Sequence, residues 1–142
     1  IADIDEELPF ENNSIEEYYL DNVIEHIRDI PALMSELHRT CINTAKITII
    51  TPHYSSISSW RDPTHVHHLS YFSMDHFEKY SVAHYTGGGF KVKKRKLSFG
   101  GGVMGLIGRA IFKISPLKYE SKWSFIFRAS TLTFEMEVVK NS

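Results

Sequence analysis

Residues 46–51 read Lys46-Ile47-Thr48-Ile49-Ile50-Thr51, with Asn43-Thr44 before them and Pro52 after. Five of the six are β-branched. A short continuous run of this kind predicts a strand buried on both faces, as in a parallel sheet. Upstream, Glu17 to Asn22 (EYYLDN) is a second extended run with two tyrosines, a residue that favours strands. Between the two runs, Ile24, Ile27, Leu33, Met34 and Leu37 recur at three- and four-residue steps, with Asp29, Glu36 and Arg39 on the other side. That spacing predicts a helix. Pro31 fits the first turn of a helix capped by Asp29, and the helix is expected to end within 40–43. Strand, helix and strand with short joints predict a right-handed crossover unit. Ligands of such sheets bind at the carboxyl ends of the strands, which directs attention to the residues after Thr51.

Residues 53–70 (HYSSISSWRDPTHVHHLS) read as a long loop, and Ser73 to Tyr80 as a short helix capped by Ser73. Gly87-Gly88-Gly89 reads as a turn, and Phe90 to Phe99 (FKVKKRKLSF) as a basic strand. Within 100–118, a glycine-rich connector leads into an amphipathic helix over Val103–Ile114 that Pro116 stops. From Leu132 to Val138 the chain alternates: Leu132, Phe134, Met136 and Val138 on one face, Thr133, Glu135 and Glu137 on the other. That is a strand with one wetter face.

Composition sets the bounds. The 142 residues are 42% hydrophobic and 23% charged, which fits one globular domain. Lys+Arg is 16 and Asp+Glu 17, a formal net charge of -1. A dedicated nucleic-acid binder would be strongly basic, so no nucleic-acid partner is expected. No apolar run approaches the roughly 20 residues that cross a bilayer, so no membrane partner is expected either. The first ten residues are acidic and lack the basic start of a signal peptide. One cysteine, Cys41, excludes an internal disulfide framework and fits a reducing cytoplasm.

Four stretches could carry chemistry. Gly100-Gly101-Gly102-Val103-Met104-Gly105 formally matches G-x-G-x-x-G, with Glu120 as a later acid. Three consecutive glycines meet that pattern by low complexity, so a connector is the reading preferred. His65-x-His67-His68 places two imidazoles on one side of an extended chain. With no placed further ligands, they are read as hydrogen-bonding or acid/base groups, and no metal is expected. Lys91, Lys93, Lys94, Arg95 and Lys96 could touch an anionic surface, but a solvated edge strand guarded by lysines explains them more simply. Trp60-Arg61-Asp62-Pro63-Thr64-His65 gathers an indole, a guanidinium, a carboxylate, a hydroxyl and an imidazole after a strand end. That stretch is the preferred functional site.

Taken together, Asp3, Leu8-Pro9-Phe10, Asn22-Val23-Ile24-Glu25-His26-Ile27, Leu33-x-x-Glu36-Leu37-x-Arg39 and Ile47-Thr48-Ile49-Ile50-Thr51-Pro52 resemble the second half of a class I S-adenosylmethionine-dependent methyltransferase, in its small-molecule, type 11-like branch. The resemblance covers Asp3 to about Phe77 well and the remainder loosely. It implies an α/β fold, a partial Rossmann-like sheet with the fourth to seventh strands of the family order 3-2-1-4-5-7-6 and flanking helices. Residues 1–142 would then form a single incomplete domain, with 53–80 as its acceptor-side loop and short helix. The family's glycine-rich loop and ribose-holding acid would lie upstream of Ile1. The glycine-containing turn before the family's fifth strand is here Cys41-Ile42-Asn43-Thr44-Ala45, and Asn43 is expected at positive φ.

The resemblance implies S-adenosylmethionine as cofactor, held weakly or not at all by this chain alone. Asp3 would meet the adenine amino group with Ile4 beside it, and Asp21 and Asn22 would face the methionine part. His53, Tyr54, Trp60 and Thr64 would line the side of a small-molecule methyl acceptor. His65 would act as the base, oriented by Asp62. Without the family's first strand, the strand around Tyr18–Asn22 becomes a bare edge, which predicts a homo-oligomer pairing there. The competing expectations are a non-enzymatic module that works by dimerising, and an anionic-surface binder using Lys91 to Lys96.

Overall fold

The computed structural model describes residues 7–78 and 89–140. Asp3, Ile4, Tyr80 and Gly87-Gly88 lie outside the described residues. The chain runs β1 (Ile15–Asp21), a 3₁₀ turn (Ile24–His26), α1 (Ile30–Thr40), β2 (Cys41–Pro52), a one-turn α2 (Ile57–Trp60), a 3₁₀ turn (Ser73–Phe77), β3 (Phe90–Phe99), α3 (Gly102–Ile114), α4 (Pro116–Lys118), a π turn (Tyr119–Trp123) and β4 (Ala129–Val138). The strands form a single sheet in the order β1-β2-β4-β3. β1 and β2 are parallel, with Tyr19 opposite Thr48 and Leu20 opposite Ile49. β4 is antiparallel to both of its neighbours. This is the fourth-fifth-seventh-sixth order expected from the resemblance.

The crossover forms for the reasons its sequence suggests. Asp29 caps α1 by accepting the Ala32 N–H at 2.9 Å, and Pro31 occupies the first turn, where no N–H is needed. Leu33, Met34 and Leu37 of α1 are buried, as are Ile47, Thr48, Ile49 and Thr51 of β2. β2 therefore is covered on both faces. Across the β2–β4 ladder, Ile47 faces Met136 and Ile49 faces Phe134, all four buried. The alternation predicted for 132–138 is observed, with Leu132, Phe134, Met136 and Val138 inside.

Several local expectations are corrected. The helical spacing that starts at Ile24 is split, because Ile27 adopts an extended backbone between the 3₁₀ turn and α1, and the helix itself starts at its Asp29 cap. Ser73 does not cap its turn; its hydroxyl accepts the Ser70 N–H at 2.8 Å instead. The bend at 41–45 is made by Thr44, at φ 68°, and not by Asn43. There the β1–β2 pairing jumps from Ile15–Cys41 to Glu17–Lys46, and Asn43 accepts the Lys140 N–H at 2.9 Å. Pro116 ends α3 but also starts α4, where Ser115 accepts the Lys118 N–H.

α3 packs through two glycines together with the half-buried Ile111 and Phe112, the latter ring 5.0 Å from Tyr71 and 5.9 Å from Phe99. A Cβ on Gly105 would meet the Gly100 carbonyl at 1.9 Å, and one on Gly108 would meet the Phe99 ring at 2.9 Å. Val103, Leu106 and Ile114 stay exposed. The glycine-rich run joins an antiparallel edge strand to α3, which is not the parallel strand–turn–helix of a dinucleotide site. β3 forms the sheet's outer edge, and Lys91, Lys93, Lys94 and Lys96 project into solvent there. Arg95 is engaged with Asp75 at 3.0 Å.

Candidate functional site

At the carboxyl end of β1 the chain turns sharply. Asn22 has φ 52°, and its N–H donates to the Ile50 carbonyl of β2 at 2.9 Å. The following 3₁₀ turn buries Ile24 completely and carries Glu25 inward to 2% exposure. Glu25 is clamped at two points. Its carbonyl accepts the N–H groups of Val66 and His67 at 2.8 and 3.3 Å. Its Oε2 accepts the hydroxyl of Thr51, from the end of β2, at 3.0 Å. Its Oε1 is buried and has no hydrogen-bond partner.

The loop after α2 supplies the facing groups. Asp62-Pro63 builds a tight turn in which Asp62 Oδ1 accepts the Thr64 N–H at 2.9 Å and its hydroxyl at 2.7 Å. The Thr64 hydroxyl, and then its N–H, hold the Asp62 carboxyl below the usual carboxylate range. His65 Nδ1 lies 3.1 Å from the Ser59 carbonyl. A carbonyl only accepts, so Nδ1 carries the proton and Nε2 presents a lone pair. That Nε2 is 3.6 Å from Asp62 Oδ2 and 3.9 Å from Glu25 Oε1. His26 sits edge-on to His65, with ring centroids 4.6 Å apart. Its Nδ1 is 3.2 Å from the Thr64 carbonyl and 3.0 Å from the Thr64 hydroxyl, which again leaves Nε2 as the lone-pair nitrogen.

The structure thus brings Asp62, Thr64 and His65 together, as the sequence suggests, and adds Glu25 and His26. One signal for these two was present: they directly follow a parallel strand, where ligands of such sheets bind. Asp21 and Asn22 are exposed at the end of β1, joined by an Asn22 Nδ2–H bond to Asp21 Oδ1 at 2.7 Å. Trp60 is also exposed, and its contacts lie apart from that cluster. It donates Nε1–H to the Tyr54 carbonyl at 2.6 Å and stacks on His68 at 3.6 Å.

His53 and Tyr54 belong to a second, closed network. His53 is fully buried. The Ser55 N–H donates to its Nδ1 at 3.1 Å, so the ring proton is on Nε2, which donates to Glu120 Oε2 at 2.6 Å. Glu120 Oε2 also accepts the Tyr71 N–H at 3.0 Å. The Tyr54 hydroxyl bonds Ser124 at 2.7 Å and the Glu120 carbonyl at 3.0 Å, and burial raises its pKa. Both nitrogens of His53 are occupied, so it presents nothing to an acceptor. A separate shallow cavity, lined by Thr44, Lys46, Lys93, Glu135, Met136 and Glu137, lies near the other end of β2 and holds none of these groups.

The sheet order and this strand-end geometry can be set beside known proteins. No protein-family model matches the sequence, and no curated protein matches it. Solved structures do. A SAM-dependent methyltransferase from Archaeoglobus fulgidus aligns with a TM-score of 0.57 at 15% identity, over 90% of this chain and 61% of that one. The chain carries the methyltransferase fold. An S-adenosylmethionine-dependent methyltransferase from Mesorhizobium loti aligns with a TM-score of 0.56 at 14% identity, over 96% of this chain and 67% of that one. The cyclase SpnF aligns with a TM-score of 0.61 at 9% identity, over 99% of this chain and 55% of that one. The chain therefore spans 61% of the length of the Archaeoglobus fulgidus protein and 55% of that of SpnF. A cyclase on the same fold shows that the fold alone does not fix the reaction.

Proposed function

We propose that this chain is the acceptor-side portion of an S-adenosylmethionine-dependent methyltransferase that acts on a small molecule. The supporting observation is the convergence of Glu25, His26, Asp62 and His65 just beyond the carboxyl ends of two parallel strands, with Asp21 and Asn22 exposed at the end of the first, where this kind of sheet holds its ligands. The exposed Asp21–Asn22 end of β1 fits one side of the cofactor, its methionine part. Asp3 and Ile4 are assigned to the adenine. When bound, the sulfonium supplies a methyl group and keeps the electron pair of the broken C–S bond, while the acceptor loses a proton.

This chain's residues orient the acceptor and receive that proton. His65 Nε2 is the open lone pair for it, held in position by the Ser59 carbonyl and flanked by the Asp62 carboxylate. Thr64 fixes Asp62, and Trp60 offers an exposed aromatic face to the acceptor. The described residues supply one side of a nucleoside site, so the isolated chain is expected to bind S-adenosylmethionine poorly and not to turn over. Calorimetric titration of the cofactor into the 142-residue chain checks this. No heat is expected up to millimolar cofactor, and micromolar binding would refute the partial-site reading.

A second reading has its own observation. Among the described residues, β1 pairs with β2 alone, and its other edge offers free backbone groups to a second copy. Light scattering after size exclusion tests the dimer directly: a monomer at all concentrations removes it.

A further inference from the structure

The polar cluster contains more than acceptor-binding groups. A carboxylate oxygen of Glu25 and one ring nitrogen each from His26 and His65 lie within 4.8 Å of one another. Asp62 Oδ2 stands 3.6 Å from the same His65 nitrogen. Glu25 is 2% exposed, and its Oε1 has no hydrogen bond although it points at His65 Nε2 from 3.9 Å. That separation is beyond hydrogen-bond range. A buried carboxylate oxygen facing a nitrogen lone pair is costly unless something positive lies between them.

We propose that Glu25, His26 and His65 bind a divalent transition-metal ion, with Asp62 as the neighbouring fourth group. The donor set supports the class of ion: two imidazoles with one or two carboxylates suit zinc and its first-row neighbours, whereas magnesium and calcium prefer all-oxygen shells. The tautomers support it as well. Both histidines turn Nδ1 toward protein oxygens, the Thr64 and Ser59 carbonyls. Such outer contacts fix ligating imidazoles in orientation and leave Nε2 for the metal. The Thr51 hydroxyl plays the same part for Glu25 through Oε2. Tetrahedral coordination at about 2.1 Å sets ligands roughly 3.4 Å apart; the His65 nitrogen is already 3.9 Å from Glu25 and 3.6 Å from Asp62, and the Glu25–His26–His65 set, within 4.8 Å, closes on the ion by side-chain rotation.

Three ligands leave a coordination position for an outside group. On the methyltransferase reading, and only there, that group is an oxygen of the acceptor, and the metal takes over from His65 the task of favouring loss of the acceptor's proton. The metal site itself does not depend on that reading.

The test uses the untagged chain, stripped with chelator, then titrated with Zn²⁺, Mn²⁺ and Co²⁺, with Mg²⁺ as the contrast. One equivalent of Zn²⁺ or Co²⁺ should bind, Co²⁺ should develop visible d–d absorption, and saturating metal should raise Tm by ~5 °C or more. Glu25→Gln and His26→Gln should each weaken binding by at least about 100-fold, more than the ~10-fold expected for the outer-sphere change Thr64→Val. His67→Ala, which removes a nearby half-buried imidazole that lies 3.2 Å from the Arg28 carbonyl, should leave the metal affinity unchanged. Stoichiometric binding abolished by His67→Ala but retained by Glu25→Gln would overturn the assignment, as would the absence of saturable binding. If Glu25→Gln does not fold, the partly exposed His26→Gln decides alone. Micromolar cofactor binding by the isolated chain would sink the partial-site reading and leave the metal site standing, whereas no saturable metal binding would remove the metal site and leave that reading untouched.

Discussion

Among the described residues, two pairs of glutamate and histidine lie in the interior, and they are built in opposite ways. At His53–Glu120, both ring nitrogens are engaged, Ser55 on one and Glu120 Oε2 on the other, and the Tyr71 N–H joins that same oxygen. At Glu25–His65, the carboxylate stops 3.9 Å short of the imidazole and one of its oxygens is left without a partner. A completed network fixes packing and has nothing left to offer a ligand. An incomplete one holds donors at a distance, which suits a ligand arriving from outside. Burial of an ionisable pair is thus a poor guide to function, and its unfilled valences are a better one.

Mutations can break or sharpen the contrast. The largest effect is expected at the closed pair. His53→Ala leaves Glu120 among buried neighbours without its donor, and should lower stability in urea by about 3 kcal/mol or more, with or without metal. Glu25→Gln should do the reverse in metal-free buffer. Removing an uncompensated carboxylate is expected to leave stability within ~1 kcal/mol of the parent or to raise it. Equal losses for the two variants would erase the distinction between the pairs. The smallest effect concerns a buried thiol on which burial outweighs the charge of Lys140. Burial pushes the Cys41 thiol up to about 11, against about 8.5 in an unfolded chain. The folded state favours the protonated thiol, so its contribution is intact below about pH 8.5 and fades as pH rises toward 11. Thiol labelling at pH 8 should therefore track opening of the fold, and labelling as fast as in urea would show that Cys41 is not sealed.

The crossover unit was legible because each of its parts is local. β-branched residues mark 46–51, Asp29 and Pro31 mark the start of α1, and alternation marks 132–138. The bend at Thr44 was not legible, since asparagine is the more usual residue at positive φ and only the pairing jump reveals which residue yields. The candidate site was half legible. Asp62, Thr64 and His65 are neighbours in sequence, whereas Thr64 meets His26 across 38 residues and Glu120 meets His53 across 67. Glu120, the later acid of a formal glycine match already read as a connector, is the packing partner of His53. Nor could the pattern on α3 tell which side packs: its glycines approach the Gly100 carbonyl and the Phe99 ring closely enough to share the inner position with Ile111 and Phe112, while Val103, Leu106 and Ile114 stay outside.

The middle position of β4 carries a consequence for synthesis. It lies between β2 and β3, yet a ribosome makes both of those first. Until Val138 clears the exit tunnel, the nascent chain holds two apolar flanks with the insert between them still missing. Any chaperone that attends this polypeptide has its work concentrated in that interval.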